Sequence, residues 1–328
     1  MSTASTRTPS TAPGDIADRI VASPQRSRPL ELAGRVVLLA TDGSTGAVAG
    51  AHIALELAAK YRAVVHVVSV LDTRSAPLPA PLGLALAMGD ALADGALHQQ
   101  QEQDVRAALS SATGTSIDWP VRMMLGAPAS AIAQEARRTS AVLIIVGLRR
   151  HGRLDRAVND ETALNVMRNA PCPVLGVVPG TTELPVRVLA AMDFSETSLL
   201  AARTARAVVG DGAMLVLAYV PPLNVLLPDD GERLIHDLGV KAAFGRTVSE
   251  LGEEGITFDH VVLHHELPRT PAEMLLEYAE GARCDLIAAG SAHHSRLDRW
   301  LMGSVSTDVV RDGSRSVLIV PPQREPRR

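Results

Sequence analysis

Aromatic side chains are scarce in this sequence, with two Trp, three Tyr and three Phe among 328 residues. Platforms that stack the bases of single-stranded nucleic acid need more rings than this. Excess charge of either sign is also missing. The formal net charge is −4, so nothing draws the chain toward a polyanion or an anionic membrane surface. Neither nucleic acid nor membrane is an expected partner. Cysteine is limited to Cys172 and Cys284, with no Cys-x-x-Cys and no paired spacing. That leaves no basis for a disulfide framework or a thiolate zinc site, and a reducing cytoplasm is the expected compartment. No apolar run reaches the roughly 18 residues that a membrane helix requires. Residues 1–33 are rich in Ser, Thr, Pro and Arg and lack the apolar centre of a secretory signal. They read as a flexible tail.

What is present is a repeat. Leu143-Ile-Ile-Val-Gly147 returns as Leu286-Ile-Ala-Ala-Gly290, and His151-Gly-Arg-Leu-Asp-Arg156 returns as His294-Ser-Arg-Leu-Asp-Arg299. Gly147 and Gly290, His151 and His294, and Pro128 and Pro271 each lie 143 residues apart. Nearer the start of each half, Asp42 and Asp193 lie 151 apart, so the second copy is eight residues shorter between these landmarks. A fixed offset that preserves so unusual a run marks a duplication. The copies span 34–179 and 186–322, with 180–185 linking them. A hydrophobic content of 46% over this length suits two globular domains, each with its own core.

Within each copy, short β-branched apolar runs alternate with helical patterns. The second copy reads as strands over 187–192, 214–219, 257–263, 285–289 and 317–320. Its helices fall over 196–209, 231–253, 271–280 and 303–311. Strands of the first copy fall near 36–41, 64–70, 118–123, 142–146 and 174–178. Continuous apolar strands alternating with helices imply a parallel sheet covered on both faces. The fold class is α/β: a five-stranded doubly wound domain, built twice.

In such sheets a ligand sits beyond the carboxyl ends of the strands, where the winding reverses. Asp193 closes the first strand of the second copy and Gly290 closes the fourth. Thirteen residues after Gly290, Gly303-Ser304-Val305-Ser306 opens a helix. Glycine permits close backbone approach, and unpaired N–H groups at a helix N-terminus favour a phosphate. Hydroxyls of Ser304 and Ser306 would add donors, while Asp193 could accept hydrogen bonds from a ribose or a base edge. The same residues also suit plainer duties: Gly303-Ser304 as a helix start, and Asp42 and Asp193 as caps or strand-end turns.

The spacing resembles the Gly-x-x-Gly-x9-Gly-Ser/Thr signature of ATP-binding universal stress proteins. The aspartates in Thr41-Asp42-Gly43-Ser44 and Met192-Asp193-Phe194-Ser195 are similar to theirs, as are Pro128-Ala129 and Pro271-Ala272. This resemblance covers both domains. It implies a Rossmann-like sheet order of 3-2-1-4-5, with the terminal strands 174–178 and 317–320 paired in an intrachain pseudo-dimer. It also implies ATP as ligand, with adenine near Val220 and phosphates on Gly290, Gly303 and Ser304. The implied role is in stress response, by conformational signalling rather than turnover. The chain departs from the pattern at His293, which replaces the second glycine. Its side chain could narrow the phosphate path, or a protonated imidazole could touch phosphate. In the first copy Gly147 is retained, but Arg150 replaces the second glycine and Asp160-Glu161 replaces Gly-Ser. Two carboxylates there would repel phosphates, so the first domain is expected not to bind ATP.

The same residues admit rival readings. His260, His264, His265, His293 and His294 could suggest a metal, but adjacent strand residues face opposite ways, and no metal site is assigned. The Arg153-Leu-Asp155-Arg156 and Arg296-Leu-Asp298-Arg299 elements brace their loops or offer guanidinium to phosphate. The apolar, Pro-punctuated stretches 76–88 and 221–228 read as connections packed on their own domains, or as partner-facing surfaces. No nucleophile–base pair and no Walker lysine is evident, so enzymatic turnover is not expected. A weak ATPase would need Asp308 to position water. A regulatory interaction module without nucleotide is the other alternative.

Overall fold

Strands that are Val, Leu, Ile and Ala on both faces can only be interior parallel strands, and helices rich in small residues cover them closely. The computed structural model describes residues 30–42, 45–72, 91–148, 161–221, 230–252, 255–264, 268–291 and 302–322. The first half runs β1 (Val36–Thr41), α1 (Thr45–Tyr61), β2 (Val64–Leu71), α2 (Ala91–Thr113), β3 (Val121–Leu125), α3 (Pro128–Thr139), β4 (Leu143–Gly147), α4 (Glu161–Asn169) and β5 (Val174–Val177). The second half repeats this as β6 (Arg187–Met192), α5 (Glu196–Arg206), β7 (Met214–Tyr219), α6 (Asp230–Leu251), β8 (Thr257–Val262), α7 (Pro271–Gly281), β9 (Leu286–Gly290), α8 (Ser304–Asp312) and β10 (Ser316–Val320).

All ten strands form one sheet, in the order β3-β2-β1-β4-β5-β10-β9-β6-β7-β8. Each half therefore has the order 3-2-1-4-5, with parallel pairing inside it. The halves meet where β5 and β10 pair antiparallel, with Leu175 opposite Leu318. One core lies under α1, α2, α5 and α6, the other under α3, α4, α7 and α8, and both continue across that seam. A second tie between the halves joins the end of α1 to the turn after α5. There the Tyr61 hydroxyl donates to the Val209 carbonyl at 2.7 Å, and Lys60 pairs with Asp211 at 2.6 Å. Among the described residues, no helix is long and apolar enough to cross a membrane.

Two boundaries differ from the sequence reading by three residues, for identifiable reasons. β3 begins at Val121 rather than 118, because Pro120 has no N–H to give the ladder. Its carbonyl still accepts from the Val67 N–H at 2.8 Å. α5 stops at Arg206 rather than 209. The chain tightens as the Val208 N–H bonds the Ala205 carbonyl, three residues back, and Val208 and Val209 turn into the core.

Candidate functional site

The neighbouring strands β6 and β9 send their chains to opposite faces of the sheet, so a crevice opens between their carboxyl ends. The chain leaves β6 through a tight turn. Asp193 accepts the Ser195 N–H on Oδ1 at 2.9 Å, and Ser195 Oγ accepts the Ser198 N–H at 3.2 Å to cap α5. Capping thus falls to Ser195, while Asp193 closes the turn. Between them Phe194 holds a left-handed φ of 58°, an outlier for so bulky a residue. Its ring is pinned 5.1 Å from the rings of both Tyr219 and Phe244. The first copy has Gly43 at this position.

Gly290 closes β9 for a reason the sequence did not disclose. A Cβ there would stand 2.7 Å from the Thr197 carbonyl carbon, and one at Gly147 would stand 2.3 Å from that of Gly46. In both copies the glycine lets the first helix rest directly on the fourth strand, so its retention does not depend on a ligand. Ser306 brings a second correction. Its hydroxyl is buried and donates to the Gly290 carbonyl at 2.9 Å, so it is not the spare donor expected. It ties α8 to β9 instead.

These elements enclose a cavity of about 550 Å³. Asp193, Val220, Gly290, Gly303, Ser304, Val305 and Ser306 all line it. Gly303 is the N-cap of α8 and offers no side-chain acceptor, so the first-turn N–H groups of α8 have no acceptor from the helix itself. The sequence reading missed the hydroxyls of Ser195, Thr197 and Ser198 on the α5 side of the cavity. Their signal was a run of small hydroxyl residues directly after the strand-one aspartate. It also missed the apolar wall of Met192, Ala218, Leu275 and Met302. Burial pushes the nearby Tyr219 hydroxyl up to about 12, and the Asp193 carboxylate adds to the effect. Tyr219 is therefore neutral at physiological pH. Asp308 is not among the cavity's lining residues.

At the corresponding place in the first half, Asp42 is exposed at the end of β1 and Gly147 ends β4. Leu148 follows, buried, with its N–H donating to the Val177 carbonyl at 2.7 Å. Glu161 occupies the first turn of α4, where the helix dipole already has a negative partner. His293, Arg150 and Asp160 lie outside the described residues, as do His265, His294, both Arg-Leu-Asp-Arg elements and 76–88. Among the described residues, no three His, Cys, Asp or Glu side chains gather where they could hold a metal ion.

The universal stress protein family model matches this chain twice, over residues 34–178 and 186–321. The chain belongs to the universal stress protein family. A universal stress protein of Methanocaldococcus jannaschii is 27% identical over 141 residues, which is 43% of this chain and 80% of that protein. The crystal structure of a universal stress protein from Archaeoglobus fulgidus superposes with a TM-score of 0.59 at 19% identity, covering 87% of this chain and 98% of that one. A functionally unknown protein from Pseudomonas aeruginosa gives 0.55 at 16% identity, covering 89% and 94%. At such identities these structures speak for the fold alone. This tandem universal stress protein thus carries two versions of one switch point. In the second, a cavity lies beside a helix without a side-chain cap; in the first, Glu161 stands in the first turn of the corresponding helix.

Proposed function

We propose that the second domain binds an adenine nucleotide and that this universal stress protein responds to it by conformational signalling, without turnover. One observation carries the reading: Asp193, Val220, Gly290 and residues 303–306 line a single cavity at the switch point. The first-turn N–H groups of α8, with the positive end of its dipole, would take phosphate. Asp193 would accept from the ribose, and the apolar wall around Val220, Ala218 and Leu275 would receive adenine. His293, which lies between Gly290 and Gly303 in sequence, would meet phosphate in its protonated form. A ligand held this way touches β6, β9 and the N-termini of α5 and α8 together, so occupancy biases how those elements sit. The first domain is assigned a supporting role without ATP, since in its sequence Asp160-Glu161 replaces Gly303-Ser304 and two carboxylates would repel phosphate.

Titration with a fluorescent ATP analogue tests this. Saturable binding is expected, weakened at least tenfold by Gly303→Asp, which sets a carboxylate against the phosphates. Ser304→Ala should weaken it roughly twofold to tenfold, the worth of one hydrogen bond. Binding that Gly303→Asp leaves unchanged would sink the assignment.

A further inference from the structure

The cavity and α6 belong to opposite faces of the second sheet. The cavity wall of Ala218, Val220 and Leu275 is part of the core under α7 and α8, whereas Tyr219 and Phe244 are part of the core under α5 and α6. Two pairs of chain neighbours join these faces. Asp193 and Val220 line the cavity just past the ends of β6 and β7. The residues beside them, Phe194 and Tyr219, pack into the other core with their rings 5.1 Å apart. Phe194 also meets Phe244 of α6 edge-on, at 5.1 Å and 75°. Tyr219 lies 6.3 Å from the ring of His236 on the same helix. The long helix thus rests on the two rings that back the strand ends of the cavity.

The first domain is built without this contact. Its sequence has Gly43 where the second has Phe194. Strand register gives Ser69 for Tyr219, since Thr41 lies opposite Ser69 as Met192 lies opposite Tyr219. In a chain so poor in rings, two of its three Phe residues meet at this point. Phe194 takes part with a φ of 58°, which glycine would adopt without strain. Bulky residues keep such angles only where their surroundings hold them, and these places cluster at ligand clamps and switches. The carboxyl end of α6 is clamped separately to α5. Arg203 pairs there with Glu250 at 2.7 Å, and Arg206 donates to the Leu251 carbonyl. Phe194 therefore bears on the part of α6 ahead of that clamp, where Leu238 is 58% exposed.

We propose that Phe194 is a positioning residue that carries the state of the nucleotide cavity to α6. The inference rests on the nucleotide reading above and adds to it a route and a receiving element. The hydrogen bond from the Ser195 N–H to Asp193 ties the turn together, so a ligand that displaces Asp193 displaces Phe194 with it. Its ring is wedged between Tyr219 and Phe244, and ring pairs are selective in geometry. Ligand-bound and empty turns thus favour different seats for α6, which is the difference a population shift requires.

Cys172 and Cys284 are both buried, so a cysteine placed at Leu238 in the full chain can be labelled selectively with an environment-sensitive dye. ATP is titrated into the labelled protein, and binding to the same protein is measured by calorimetry. A shift in dye emission that saturates with binding is expected. Phe194→Gly suits the backbone and removes the ring; it should cut the shift at saturation by about fivefold or more while saturable binding persists. Phe194→Tyr returns a ring and should restore the shift. Phe244→Leu removes the partner ring without touching the turn and should also blunt it, with near-UV circular dichroism showing each variant folded. Binding with a silent dye, or an undiminished shift in Phe194→Gly, would overturn this inference and leave the nucleotide reading standing. Absence of calorimetric binding would overturn both.

Discussion

Leu175 lies opposite Leu318 across the antiparallel seam, and the two leucines hold the same position in the two repeats, 143 residues apart. A pseudo-twofold axis therefore passes between them, with Val174 meeting Ile319 and Gly176 meeting Val317 on either side. Both leucines are core residues, 2% and 0% exposed. Leu318→Ala should cost about 2–5 kcal/mol, as deletion of a buried side chain does. Because the core is continuous through the seam, hydrogen exchange should speed up in β4 as well as β9. Loss of protection confined to β9 would show that the halves are not coupled there.

Phe194 reverses the usual order of small substitutions. At its φ of 58° an alanine keeps the backbone penalty while losing the ring, whereas glycine loses the ring but accepts the angle. Phe194→Gly should therefore be more stable than Phe194→Ala by about 1 kcal/mol. Urea denaturation of the two variants decides it, and an alanine variant at least as stable as the glycine would refute the strain argument.

Gly147 and Gly290 should behave alike despite the difference between their switch points. Each Cβ would press on the backbone of the first helix of its own half. Alanine at either position should destabilise by about 1–3 kcal/mol, the usual cost of overpacking. Thermal unfolding in the absence of ligand checks this. A neutral Gly147→Ala would mean that close helix packing is not what the glycine is for.

Glu135 links stability to acid. It is only 2% exposed and takes Arg138 on both oxygens, at 2.8 and 2.6 Å, with Arg122 at 3.3 Å. The hydrogen bonds from Arg138 hold its carboxyl below the ordinary glutamate range, against the opposing effect of burial. A carboxyl depressed in the folded state stabilises above its unfolded pKa of about 4.3 and loses that contribution as pH falls through the folded value. Glu135→Gln should therefore be less stable at neutral pH, by about 1–3 kcal/mol, and the gap should close as pH drops below 4. A gap that is constant with pH would contradict the ion-pair account.

Much of this architecture could be read directly from residues. β1, β6 and β7 have the bounds that their apolar runs suggested, because a buried parallel strand is continuous in hydrophobicity and ends where polar residues begin. The seam followed from the repeat and the family resemblance together. What the sequence concealed were contacts between elements. Gly290 reads only as a ligand glycine until the Thr197 backbone is seen against it, which gives it a packing duty as well, and the Ser306 hydroxyl reads as spare until the Gly290 carbonyl is found beside it. Phe194 gave no sign of its left-handed turn, since the rings that hold it come from β7 and α6.

The central claim, one nucleotide site in the second domain, is tested most directly by the nucleotide content of freshly purified chain. The protein is denatured and the released small molecules are separated and counted, with Gly303→Asp processed in parallel. Close to one adenine nucleotide per wild-type chain, and none from the variant, is the expected result. Wild-type protein that releases none and stays unresponsive to added ATP would contradict the claim. The cavity beside Asp193 and Gly303 would then be a structural crevice, and the chain an interaction module without nucleotide.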